Sequence, residues 1–136
     1  MQHEEAPVLV AREWLVKAEH DLIAGERAAQ DPPVADIACF HAQQAAERAL
    51  KAFLTWRHIP FQRTHDLTRI LAQASSLDGD FHSLEPMAEL LTPYATDPRY
   101  PGTGEDPGPE EAIEALDAAR DAFRFVLLRV PPKARP

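Results

Sequence analysis

The chain has 136 residues, enough for one folded unit around one core and too few for two separate catalytic domains. Its apolar residues are mainly Ala and Leu, with few Val and Ile, a bias toward helix over sheet, and its five glycines allow no dinucleotide-binding or Walker-type phosphate loop. A formal charge of −8 argues against a general nucleic-acid coating protein, and a lone cysteine, Cys39, excludes an internal disulfide.

The first 30 residues carry helical spacing. Ala11, Leu15, Ala18, Leu22, Gly25 and Ala29 form one stripe, with Glu13, Glu19 and Glu26 off it, so an amphipathic helix is expected over about 7–29. Asp31-Pro32-Pro33 ends it, because proline disfavours a helical residue before it and donates no backbone bond. A second helix is expected over about 34–57. Ala38, Ala42, Ala45, Ala49, Phe53 and Trp56 lie on one side, with Ile37, Phe40, Leu50 and Leu54 around it, and so wide an apolar surface suits the central helix of a bundle. Cys39, beside Phe40 in this run, reads as a buried structural thiol.

His58-Ile59-Pro60 breaks the second helix, and Thr64 is the expected N-cap of a third, with Asp66 in its first turn and Leu67, Ile70, Leu71 and Ala74 buried. Asp78-Gly79 marks a turn before a fourth helix, whose core face is Leu84, Met87, Leu90 and Leu91 and whose end is Pro93. Residues 95–109 hold four prolines and three glycines and read as a long functional or disordered loop. A last helix starts near Pro109, with Glu110 and Glu111 in its acid-favouring first turn. Ile113, Leu116, Ala119, Phe123, Val126 or Leu127, and Val130 are its expected buried stripe. Pro131-Pro132 stops it and leaves a mobile tail over 131–136.

The expected fold is therefore all-α: an up-and-down bundle of four or five helices spanning 1–136 as one domain, with its core over about 7–130 and flexible N-terminal residues. No signal peptide or membrane span can be read, so the expected location is cytoplasmic. No metal-ligand pattern is present and no cofactor is called for; His65-Asp66 reads as a helix start with a locally bonded imidazole.

Charge is unevenly spread. Residues 1–31 hold seven acids and three bases (−4), residues 32–76 three and five (+2), and residues 77–136 twelve and six (−6). The basic middle holds Arg48, Lys51, Arg57, Arg63 and Arg69 with His41, His58 and His65. Such a patch suits a phosphate-bearing ligand or an acidic partner, and the alternative is solvated charges paired with Glu47 and Asp66. Along the second helix His41, Gln44 and Arg48 share one face, flanked by Glu47 and Lys51. On a helix that is otherwise buried, that row lines a cleft or an interface, or is satisfied internally.

Three blocks in order, Cys39-Phe40-His41-Ala42-Gln43-Gln44-Ala45-Ala46-Glu47-Arg48-Ala49-Leu50-Lys51-Ala52, Thr64-His65-Asp66-Leu67 and Arg99-Tyr100-Pro101, make the chain resemble the HEPN domain over about 7–130. The resemblance implies a small helical bundle that usually forms homodimers. It also implies frequent pairing with a minimal nucleotidyltransferase, often as a toxin–antitoxin system. Many members are metal-independent endoribonucleases, whose signature is an arginine followed, after four to six residues, by a histidine. The histidine would move the proton of a ribose 2′-hydroxyl and the arginine would stabilise phosphate charge. None of His3, His20, His41, His58, His65 and His82 follows an arginine at that separation.

Two functions are therefore carried forward. The first is a homodimeric module that binds a nucleotide, an RNA or a nucleotidyltransferase partner through His41, Gln44, Arg48, Lys51, Arg99 and Tyr100. Arginine offers a fork to phosphate and tyrosine a stacking face. The other reading of Arg99-Tyr100 is a loop anchor, with Arg99 paired to an acid such as Glu105. The second function is an endoribonuclease toxin, in which Arg99 would act with His41 or His65.

Overall fold

The structure is a computed structural model that describes residues 2–95 and 106–136, with side chains from Glu5 onward. It is an all-α bundle of five helices, with no strand among the described residues: α1 (Gln2–Ala28), α2 (Ala35–Trp56), α3 (Leu67–Ser75), α4 (Glu85–Leu91) and α5 (Pro109–Leu127). Short 3₁₀ turns at Gly79–Leu84, Thr92–Ala95 and Pro132–Ala134 complete it.

As the apolar circumference predicted, α2 is central and packs on every other helix. Alanine on the α1–α2 seam lets the two backbones approach closely: Ala11, Ala18, Ala38, Ala42, Ala45 and Ala49 are fully buried. Helix α1 runs antiparallel to α2, since Asp21 meets His41 and Arg48 while the earlier Trp14 meets Lys51. Helix α5 runs alongside α2 in the same direction, with Phe125, Phe81 and Phe53 clustered at one end in tilted and edge-to-face contacts, their neighbouring ring centres 4.8 and 4.5 Å apart. Gly25 lies where α1 crosses α5 and α2. A Cβ built there would stand 2.7 Å from Leu116 Cδ2 and 3.4 Å from the Ala38 carbonyl oxygen.

Several expectations are corrected. Helix α1 begins at Gln2, ahead of the expected start, and contains Pro7; in the added part Glu5 and Ala6 are exposed, so no buried periodicity announced it. The N-cap of α3 is Asp66, not Thr64: its carboxylate accepts from Thr68 N at 3.0 Å, while Thr64, two residues before the cap, accepts from Asp66 N through Oγ1. Hydrogen bonding to Thr68 holds the Asp66 carboxyl below its ordinary value. Pro93 lies inside a 3₁₀ turn that continues beyond α4. Ile113 is 58% exposed, because Ala112, Ala115, Leu116 and Ala119 turn the buried face of α5 one position away from it.

The C-terminal tail is also packed. Ala134 is buried, Arg135 donates to the carbonyls of Leu127 and Val130, and Lys133 reaches Glu5. These arginine contacts satisfy carbonyls left open at the end of α5.

The break after α2 is a left-handed cap. His58 has φ 62°, Ile59 N donates to Leu54 O at 2.9 Å, and His58 N donates to Thr55 O at 3.1 Å. That is the Schellman pattern, with histidine at the position glycine usually fills.

Candidate functional site

The polar face of α2 is organised by two buried carboxylates. Glu47 is 3% exposed. Its Oε1 accepts from Gln43 Nε2 at 3.1 Å and from His65 Nδ1 at 3.0 Å, and its Oε2 accepts from Lys51 Nζ at 2.9 Å. Gln43, fully buried, also donates to the His65 carbonyl at 3.2 Å, and its own Oε1 accepts from Gln44 Nε2 at 2.7 Å. The Lys51 ammonium stands 5.0 Å from the centre of the Phe61 ring and 5.5 Å from that of Trp14, two rings that meet edge to face. Burial works to raise the Glu47 carboxyl, but hydrogen bonds from Lys51, His65 and Gln43 outweigh it and hold the group below the ordinary carboxylate range.

This first cluster is a clamp. It ties α2 to the segment leading into α3 and joins two of the three sequence blocks: Gln43 and Glu47 of the first hold His65 of the second. The His65 imidazole is thus bonded across the fold to α2, not locally, and Asp66 is the residue of that pair that caps the helix start.

The second carboxylate, Asp21 on α1, is 6% exposed. Its Oδ1 bonds His41 Nδ1 at 3.0 Å and its Oδ2 accepts from Arg48 NH1 at 2.8 Å. The side chains of His41 and Arg48 remain 29% and 33% exposed. A carboxylate can only accept, so His41 donates from Nδ1, and Nε2 on the opposite ring edge meets no hydrogen-bond partner among the described residues. Among the described residues Arg48 bonds only through NH1, and its Nε and NH2 make no hydrogen bond.

The structure therefore divides the expected site. His41 and Arg48 come together on Asp21. Gln44 hangs on Gln43, and Lys51 turns inward onto Glu47. Arg99 and Tyr100, with the rest of 96–105, lie outside the described residues. Much of the basic middle is paired: Arg48 with Asp21, Lys51 with Glu47, and Arg69 with Asp66 at 3.6 Å. Sequence reasoning missed Asp21 and Gln43. Asp21 left one trace, an acid set between Ala18 and Gly25 on the buried side of α1, whereas Glu13, Glu19 and Glu26 all fall on the exposed side.

Cys39 is buried, which pushes its thiol up to about 11. Tyr94, beside it, is pushed up to about 12 by burial. Neither is a nucleophile at neutral pH. Among the described residues no His, Cys, Asp and Glu group of three or more could hold a metal ion, and no helix is long and apolar enough to cross a membrane.

A family model for the HEPN domain matches residues 11–129. Two solved structures resemble the fold along most of its length. TT1696 from Thermus thermophilus is 32% identical with a TM-score of 0.74, and the match covers 89% of this chain and 98% of that one. An archaeal HEPN homologue is 25% identical with a TM-score of 0.69, over the same shares of the two chains. No curated protein matches the sequence.

Proposed function

Since the chain belongs to the HEPN family, we propose that it acts as a homodimeric, cytoplasmic module that binds the phosphate of a nucleotide or RNA. In this reading it works with a minimal nucleotidyltransferase in a toxin–antitoxin-like pair. The observation that carries it is the joint anchoring of His41 and Arg48 on Asp21, which ties an imidazole and a guanidinium of one α2 face to the same buried carboxylate. An arginine whose Nε and NH2 meet no partner among the described residues is well suited to fork two phosphate oxygens. Arg99 and Tyr100 are assigned to the same ligand as a second phosphate contact and a stacking face.

The reading is tested by titrating the purified protein with inorganic phosphate, adenosine monophosphate and a short RNA. Binding that weakens about tenfold in Arg48→Ala supports it. Equal binding by native protein and Arg48→Ala, or no binding at all, refutes it. Sizing the protein in solution tests the dimer, and co-purification with a nucleotidyltransferase encoded beside it tests the partnership. Cleavage of the RNA in the presence of chelator would move the assignment to endoribonuclease.

A further inference from the structure

A groove between α3, the Gly79–Leu84 turn and α4 shares no residue with the Glu47 clamp or the Asp21 pair. Its volume is about 360 Å³, within the range of small-ligand sites. Buried Leu71 and Ala88 form its apolar floor, and Ala72 continues that surface toward solvent.

The two walls differ in chemistry. Helix α3 presents Thr68, Ala72 and Ser75, spaced i, i+4 and i+7, and brings no charge to the groove. Helix α4 presents Glu85 and Glu89, one turn apart on the same face. Elsewhere on the surface acids share nearby guanidinium groups: Glu26 and Asp117 meet Arg120, and Asp78 and Asp80 meet Arg129. No lysine or arginine lines this groove, and Arg69, next to Thr68 in the chain, is paired with Asp66 at 3.6 Å. His82 is the one lining side chain that can carry positive charge, and its Nδ1 donates to Glu85 Oε1 at 2.7 Å. That bond orients Glu85 and uses one of its oxygens, while Glu89 has no cation among the lining residues.

An apolar floor beside two carboxylates selects its occupant by charge. An anion is repelled, and a neutral apolar molecule leaves the carboxylates without a counter-charge. A cation carried on an apolar body meets both surfaces at once. Helix α4 is only seven residues long, so the acidic wall extends about 10 Å, the length of a small molecule.

We infer that this groove binds a free small organic cation, an ammonium or guanidinium head on a short apolar body. The body lies on Leu71, Ala72 and Ala88, and the head stands between Glu85 and Glu89. The Ser75 hydroxyl supplies a further acceptor from the facing wall. This site is independent of the phosphate-binding reading and stands or falls separately from it.

The test titrates the full chain with 2-phenylethylamine and follows amide NMR shifts. Saturable shifts confined to residues 68–76 and 82–89 are expected. The neutral counterpart 2-phenylethanol should bind about fivefold more weakly, and the anion 3-phenylpropionate should not saturate. Raising sodium chloride from about 0.05 to about 0.5 M should weaken the amine about threefold and leave the alcohol unchanged. Glu89→Gln and Glu85→Gln should each weaken the amine about threefold, again without effect on the alcohol. Ala72→Leu, at an exposed position, fills the groove and should abolish binding of both while the urea midpoint stays native. If that variant does not fold, the two glutamine variants carry the test.

Equal binding of amine and alcohol by native protein overturns the proposal, as does native affinity in a folded Ala72→Leu or in both glutamine variants. Saturable shifts centred elsewhere, or none with the amine, also overturn it. A blocked lysine-containing tetrapeptide forms a parallel arm. Binding by the peptide alone overturns the free-cation assignment in favour of a protein partner.

Discussion

The clamp around Glu47 makes a quantitative prediction. Glu47→Gln preserves the side chain's size but removes its charge and replaces one acceptor oxygen with an amide donor. Three donors converge on the native carboxylate, from Gln43, His65 and Lys51, at 3.1, 3.0 and 2.9 Å. Whichever way the new amide points, its NH2 faces a donor and one contact becomes repulsive. The heavier loss falls on Lys51, whose side chain is 15% exposed and stays between Trp14 and Phe61 without its counter-charge. Removing one partner of a buried ion pair costs about 3 to 5 kcal/mol, and the partial exposure of Lys51 places this case near about 3. For a chain of this size that lowers Tm by about 10 °C.

Urea denaturation should show a lower midpoint at unchanged slope. Adding Lys51→Met, which keeps the aliphatic stem between the two rings but deletes the stranded charge, should return stability to within about 1 kcal/mol of the native protein. The reasoning is refuted if Glu47→Gln lies within about 0.5 kcal/mol of native, or if the two substitutions add without coupling.

The same carboxylate has a pH signature. Its folded-state value is depressed, so its stabilising contribution is fully present above pH 4.5 and is lost as pH falls below that toward the folded-state value. The stability gap between native protein and Glu47→Gln should therefore narrow in acid, read from denaturation midpoints between neutral pH and pH 3. His58→Gly relieves a left-handed backbone at φ 62° and should stabilise by about 1 kcal/mol; an unchanged or lower urea midpoint contradicts the assignment of the cap. Gly25→Ala gains helix propensity of about 0.5 to 1 kcal/mol but drives a methyl against Leu116, itself 2% exposed, so a net loss of about 1 kcal/mol is expected. In a Leu116→Ala background the sign should reverse. Cys39, pushed up to about 11 by burial, should resist thiol reagents at pH 8 until the chain unfolds; rapid labelling of native protein would contradict its burial.

Helix positions and the central place of α2 were legible because they depend on local periodicity and punctuation. An apolar stripe at helical spacing must be covered, and the widest stripe must be covered on the most sides. The errors fall where a local signal had two readings. Thr64 and Asp66 are both good caps, and Thr92 helps decide between them by accepting from Leu67 N at 3.1 Å, a contact from a segment 25 residues away. Ile113 looks like core by type, but small alanines already bring α5 close to the bundle and leave it outside. The tail looked free because no pattern in six residues can announce that its arginine finds open carbonyls on the preceding helix.

The candidate site shows the same division more sharply. The polar row on α2, with His41 and Arg48 on one face, follows from a spacing of seven residues and the pitch of a helix. Which of those side chains is structural and which remains available does not follow from spacing, because it depends on acids brought in by other elements. Lys51 is taken up by Glu47 and two rings, one of them from α1, and the segment leading into α3 adds His65 to the same carboxylate. His41 and Arg48 are joined by Asp21, twenty residues before the first and twenty-seven before the second. Composition and periodicity settle which surfaces must be buried, since burial of apolar area is nearly additive along the chain. The pairing of charges is settled only by the fold, because a Coulomb contact of about 3 Å between groups remote in sequence exists only once helix packing has brought them together.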